Sequence, residues 1–213
     1  FVTTIISCGR KQENQPTSPV ESRAFELERE NFFSSLKNLD DVSRMAQGTI
    51  SFNIDFLNDP ERFFRYNSSK VNAAANLGVY ISDLNYCILF KNKEEAGKHF
   101  HAAYELSKVI EVDQSLLEFL KVRYEKNIEQ NDSVKLVVNQ LFGHSTAGLK
   151  GTDRERLAGI AMAGYQIENL HLALATLASQ PDVLTEEQVQ TQKQLIQYIL
   201  EQRGKFEIIY NFV

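Results

Sequence analysis

Apolar residues recur at intervals of three and four along most of the chain after residue 20, which predicts a protein built of α-helices. The four prolines, at positions 16, 19, 60 and 181, all fall between these periodic segments. Proline is tolerated at helix starts and in connections but not inside a helix. We therefore expect an all-α fold, an antiparallel multi-helix array of about seven helices in a single globular domain.

Caps and turn residues predict where the helices begin and end. A first helix is expected at about residues 20–47, and Pro60 opens a short one. The other helices are predicted at residues 69–90, 94–110, 113–129, 132–142, 153–179 and 185–203. The predicted N-caps are Ser68 or Ser69, Asp113 and Asp132, and Thr152-x-x-Glu155 and Thr185-x-x-Gln188 are predicted capping boxes. Residues 50–56 alternate with period two and predict an extended connection, and Gly143, Gly148 and Gly151 predict a loop.

The predicted helix 69–90 is apolar on nearly every side, which places it at the centre of the array. Its few polar residues gather in one stripe that contains Asn76, Tyr80 and Asp83. One interpretation is the solvent face of a mostly buried helix. The other is a polar pocket, because a buried carboxylate needs a partner such as an arginine or a ligand.

The predicted helix 153–179 has the same apolar character and a face of small residues around Gly164, which predicts a closely packed neighbour. Glu168 and His171 share that face at a spacing of three, so they can pair in the structure or line a site. Glu-x-x-His also occurs in di-iron carboxylate bundles, but those need a second copy and two further glutamates. The chain has one copy, so we expect no metal and no cofactor.

Composition and charge narrow the classes of function. The chain carries a net charge of −5 and no cluster of lysine and arginine, so nucleic acid is not an expected partner. No glycine-rich phosphate loop, nucleophile elbow or His-Glu-x-x-His sequence is present. Cys87 lies in an apolar helix and is expected to be a small buried side chain.

The start of the chain has the pattern of a lipid attachment signal. Residues 1–6 are largely apolar, and Ile5, Ile6, Ser7 and Cys8 resemble the lipobox of bacterial lipoproteins, where Cys8 would be the lipidated residue. Residues 1–7 are then expected to be the remnant of a signal peptide. Residues 8–22 are polar after the cysteine and contain two prolines, which predicts a flexible tether, and residues 23–213 form the helical domain.

One part of the chain resembles an all-helical lipoprotein family of unknown function from Bacteroidetes. The most similar segment is Asn76-Leu77-Gly78-Val79-Tyr80-Ile81-Ser82-Asp83-Leu84-Asn85-Tyr86. Further similar segments lie before it at residues 56–58 and after it at residues 125–128, 132–133 and 161–168, in the same order along the chain. The resemblance implies an all-α fold and a lipidated precursor, and it implies no activity.

These observations predict an envelope lipoprotein of unknown function, anchored to the membrane through lipid on Cys8, with an unknown protein or small-molecule partner. The expected location is the outer membrane, facing the periplasm, because residues 9–12 contain no acidic cluster of the kind that signals surface export. The domain is expected to bind or interact without catalysis. Two alternatives stay open: an enzyme or small-ligand receptor with a pocket around Asp83 and Glu168, and a purely structural spacer.

Overall fold

The computed structural model describes residues 26–27, 29–32 and 51–213. Six α-helices occupy most of this part: α1 is Lys70–Leu89, α2 Lys93–Val109, α3 Gln114–Asn127, α4 Asn131–Ala147, α5 Glu155–Ala178 and α6 Glu186–Phe212. Two 3₁₀ helices, Ile54–Phe56 and Pro60–Tyr66, precede them, and residues 26–27 and 29–32 are also helical. No strand occurs in these ranges, so the all-α prediction is confirmed. The predictions for Cys8, the tether and most of the 20–47 helix lie outside the described residues.

Helix α1 occupies the centre of the array, as its apolar sequence predicted. It packs against α2 on one side and α5 on the other, and α6 packs on α5. Leu77, Ile81 and Leu84 of α1 have no solvent exposure, and neither has Cys87. Burying a large aliphatic side chain contributes roughly 1.5–3 kcal/mol, so α1 supplies much of the folding free energy.

Two glycines allow α1 and α5 to touch backbone to backbone. A Cβ atom on Gly164 would lie 1.9 Å from the carbonyl oxygen of Ala75. One on Gly78 would lie 1.9 Å from the carbonyl oxygen of Ala161. No side chain fits at such distances, so both positions require glycine. The closely packed face predicted around Gly164 is confirmed.

Several predicted caps are present. The side chain of Ser69 accepts a hydrogen bond from the backbone N of Asn72 (3.4 Å) and starts α1. The side chain of Asp113 does the same for Leu116 N (2.9 Å) at the start of α3. Both hydrogen bonds of the Thr185 capping box are formed at the start of α6. These side chains satisfy backbone N–H groups that the first helical turn leaves without a partner.

Four local predictions were wrong. Thr152 does not cap α5, because its hydroxyl donates to Leu149 O (2.7 Å) and closes a turn before the helix begins at Glu155. Helix α4 begins one residue before Asp132 and continues past Gly143 to Ala147, so Gly143 is helical. The alternating stretch that ends at Phe56 is not fully extended, because residues 54–56 form a 3₁₀ turn capped by Asn53. Leu157 to Leu177 was expected to be buried all round, whereas Ile167 and Leu174 lie on an exposed outer face.

Candidate functional site

Asp83 of α1 and Glu168 of α5 meet in the interior, where the two glycine contacts hold their helices together. Asp83 has no solvent exposure and Glu168 is 5% exposed. Burial raises the pKa of Asp83 well above its ordinary value, and the charge of Glu168 raises it further. Burial also raises the pKa of Glu168. Two carboxylates in such a place would repel each other without water to screen them, so the pair retains a proton.

Asn58 closes the pair from the outside. Its backbone N and its side-chain Nδ2 both donate to Oδ2 of Asp83, each at 3.1 Å. Oδ1 of Asp83 and Oε1 of Glu168 are buried and have no hydrogen-bond partner. The arrangement fits a protonated Asp83 whose Oδ2 accepts from Asn58 and whose Oδ1 carries the proton toward Glu168. Asp83, Glu168, Asn58 and His99 of α2, which lies beside them, are called the carboxyl cluster below.

His99 lies between two backbone carbonyl groups and has no solvent exposure. Its Nδ1 is 2.9 Å from Glu95 O, and its Nε2 is 3.1 Å from Asn58 O and 3.7 Å from Oδ2 of Asp83. Burial lowers the pKa of His99, and the two carbonyl contacts oppose that effect. A neutral ring has a single N–H, so it can donate to only one of the two carbonyl groups.

Three more side chains hold the same stretch of chain. Tyr80 Oη donates to Asp59 O (2.9 Å), His171 Nε2 lies 3.1 Å from Phe56 O, and Tyr86 Oη accepts from the backbone N of Asn53 (3.1 Å). Residues 53–59, called the latched segment below, are therefore bonded to α1, α2 and α5 at once. Burial raises the pKa of Tyr80, so its hydroxyl remains a donor.

The structure brings together four of the five residues predicted for a polar pocket. Asp83, Glu168, Tyr80 and His171 all contact each other or the latched segment. Asn76 is apart from them, because its amide donates to Asn72 O (2.9 Å) within α1.

Sequence reasoning missed Asn58 and His99 as members of the cluster. Asn58 stood only in a segment of family resemblance, because its contacts come from helices distant in sequence. The sequence signal that could have identified His99 is a histidine on an otherwise apolar face of α2.

An open cavity of about 530 Å³ lies next to the cluster. Its walls are the latched segment, the start of the Pro60–Tyr66 helix and one side of α2, including Glu95, Lys98 and His99. Asp83 and Glu168 do not line it, since Asn58 stands between them and the cavity. The cavity therefore reaches the cluster only through His99 and Asn58.

The outer face of α5 is apolar and open to solvent. Ile167 is 56% exposed and Leu174 is 48% exposed. Between residues 157 and 178 the exposed or half-buried positions contain no Asp, Glu, Lys or Arg, and His171 is the one titratable residue there. The outer apolar positions 160, 163, 167, 170, 174 and 177 alternate in steps of three and four, which is the spacing of a coiled-coil seam.

Comparison with protein-family models, curated proteins and solved structures found no match to this chain. No group of three or more His, Cys, Asp or Glu side chains in residues 26–27, 29–32 and 51–213 is arranged to hold a metal ion. Within the same residues, no helix has both the length and the apolar character that a membrane span requires.

Proposed function

We propose that the chain is a lipid-anchored protein of the bacterial cell envelope whose helical domain works by binding protein rather than by catalysis. The lipobox around Cys8, the polar tether and the family resemblance support the anchor. The expected location is the outer membrane with the domain in the periplasm. The observation that carries the binding role is the uncharged, solvent-exposed face of α5.

That face differs from the exposed side of an ordinary amphipathic helix, which carries charged residues. From Ile160 to Leu177 it extends about 26 Å at 1.5 Å per residue. Ile167 and Leu174 are exposed on it, while the other four positions are half-buried, and Ile160 and Ala163 also pack against the core. An apolar surface without charged residues is typical of an interaction site. The alternating steps of three and four residues favour another helix as the binding partner.

The occupant we propose is α5 of a second copy of this chain. The chain has a net charge of −5, so two copies repel each other over most of their surfaces. The outer face of α5 brings no charged side chain to such a contact, and a seam of Ile, Leu and Ala is complementary to itself. The closed carboxyl cluster is consistent with this role, because Asp83 and Glu168 bind the protein's own segment.

The test is the oligomeric state of the full chain carrying Cys8→Ser, so that no lipid is attached. We expect sedimentation to give twice the 24.3 kDa mass of one chain. Ile167→Glu and Leu174→Glu together should give the monomer, because each places a charge on the seam. Leu200→Glu is the matched control, because Leu200 is 73% exposed on α6, and this variant should remain a dimer.

A chain that is monomeric at every concentration contradicts the dimer. If Ile167→Cys in that monomer is also shielded from a thiol reagent, another part of the same chain covers the face. Neither result affects the lipid anchor, which is tested separately through Cys8.

A small-ligand receptor or an enzyme is the second candidate, and the cavity beside Asn58 and His99 favours it. A ligand there would meet Lys98 and the acidic groups of Asp55, Asp59 and Glu61. It would not touch Asp83 or Glu168 while Asn58 is in place. The receptor or enzyme is therefore the second candidate after the protein-binding role. No observation favours a purely structural spacer over either of these two functions.

A further inference from the structure

The latched segment depends on a carboxyl pair that contacts no cationic side chain of α1, α2 or α5. His99 is the basic side chain beside Asp83, and burial lowers its pKa from an ordinary value near 6.5, so the ring is neutral above that pH. Lys98 is bound to Glu94 and Glu95 at 3.0 and 2.8 Å. The charge of the pair is therefore reduced by a retained proton.

The retained proton has a structural role. A protonated Asp83 can direct its proton to Glu168 while Oδ2 accepts both N–H groups of Asn58. When that proton is lost, two carboxylates face each other in a buried place, which is strongly unfavourable. The repulsion can be relieved by admitting water, and the one side of the pair covered by an irregular segment is the side of Asn58.

We propose that the carboxyl cluster is a proton-operated latch, which holds residues 53–59 on α1, α2 and α5 and frees them when the pair loses its proton. Release breaks the two hydrogen bonds from Asn58 to Asp83, which favour the ionised carboxylate and oppose the repulsion, and the contact between Asn58 O and His99. The O–H bond of the carboxyl group breaks, the proton passes to solvent, and no bond between heavy atoms changes. Opening enlarges the adjacent cavity and gives it access to Asp83 and Glu168.

The other titratable and charged groups around the pair are Tyr80 and Cys87 of α1, Glu95, Lys98 and His99 of α2, His171 of α5, and Asp59 beside Arg62. Burial raises the pKa of both Tyr80 and Cys87, so neither supplies charge near neutral pH. Glu95 and Asp59 are paired with Lys98 and Arg62. Asp83 and Glu168 are the two buried carboxyl groups of the set. His171 acts on the latch from outside, because its charge lowers the pKa of Glu168 and its ring contacts Phe56 O at 3.1 Å.

The test is hydrogen exchange of the full chain as a function of pH, corrected for the intrinsic exchange rate. Protection of the amides at residues 54–59 should fall as pH rises, by up to tenfold for each pH unit while the pair loses its proton. The amides of α3, which lies away from the cluster, should keep their protection. A Trp placed by Ile54→Trp gives a second readout, because the chain contains no other Trp.

Asp83→Asn should remove the pH dependence and keep the segment closed. An asparagine oxygen can accept from Asn58, and its NH₂ group can donate to Glu168 without any titratable proton. Glu168→Gln also removes a titratable carboxyl group from the pair, and it replaces Asp83→Asn in the test if that variant does not fold. His99→Gln should weaken the segment at every pH while the pH dependence remains.

Asp182→Asn is the control, since Asp182 is exposed and distant in sequence from the cluster, and it should follow the wild type. The latch is wrong if protection at residues 54–59 does not change with pH in the wild type. It is also wrong if Asp83→Asn and Glu168→Gln both retain the wild-type fall. These outcomes are independent of the oligomeric state.

Discussion

Gly164 lies directly on the backbone carbonyl group of Ala75. A Cβ at position 164 would come within 1.9 Å of that oxygen, and the helix backbone cannot move aside without separating α1 from α5. The reciprocal contact of Gly78 with Ala161 lies on the same interface. This interface fixes the distance at which Asp83 and Glu168 meet.

Gly164→Ala and Gly164→Leu should both destabilise the protein, the larger side chain by roughly 1–3 kcal/mol or more because it overpacks the interface. Urea unfolding measures the loss. Gly97→Ala in α2 is the matched control, because a Cβ there meets nothing within 4 Å. It should stabilise by about 0.5–1 kcal/mol through the better helix propensity of alanine. Equal effects at both positions would contradict the close contact.

The contribution of the carboxyl pair to the free energy of unfolding should fall as pH rises through the range in which the pair titrates. The pKa of Asp83 is raised in the folded protein, so the folded state holds a proton that the unfolded state releases. That contribution is complete below the unfolded pKa and is lost as pH passes the folded pKa. Urea unfolding from about pH 5 to about pH 8 covers the accessible range.

Asp83→Asn should show a flatter pH profile in the same measurement, and its advantage over the wild type should grow with pH. Asp182→Asn should reproduce the wild-type profile. Burial lowers the pKa of His99, which makes stability rise with pH near pH 6.5 in all three proteins, so the carboxyl pair is read from the difference between the wild-type and Asp83→Asn profiles. Parallel profiles for these two proteins would mean that the pair is ionised in the folded protein.

Thr185→Ala should cost about 1 kcal/mol, within the range known for N-caps. The variant loses the hydroxyl that accepts from Gln188 N at 3.3 Å. Thr185→Ser keeps an oxygen in the same place and should be close to the wild type. Thermal unfolding compares the three proteins, and identical melting temperatures would show that the box contributes nothing.

Cys8→Ala should move the protein from the membrane fraction to the supernatant after cell lysis, because acyl chains on that residue are the proposed anchor. Cys87→Ala is the matched control. Cys87 is buried among α1 side chains, so its removal should leave the protein with the membranes. If Cys8→Ala also sediments with them, the lipobox assignment is wrong.

Local chemistry predicted most of the helices because caps and periodicity act over a few residues. Ser69, Asp113 and Thr185 were found where the pattern placed them. The prediction that Thr152 caps α5 was wrong for a physical reason. Gly151 adopts φ +76°, and in the turn that it forms the hydroxyl of Thr152 donates to Leu149 O. A pattern of Thr and Glu three apart does not distinguish these two uses.

The candidate site was only partly predictable. The need of Asp83 for a partner followed from its place in an apolar helix. The partner is Glu168, 85 positions further along the chain, and Asn58 covers both side chains. These contacts depend on how α1 and α5 pack. Periodicity shows which face of a helix is buried but not which helix lies against it.

The contact of Gly78 with the carbonyl group of Ala161 also affects the order in which the protein can be built. During synthesis, α1 leaves the ribosome long before α5 exists, and its apolar surface and its acidic side chain have no counterpart in that interval. The central helix can reach its final surroundings only after residue 178 has emerged. The nascent chain is therefore expected to lack the packed α1–α5 interface until residue 178 has emerged.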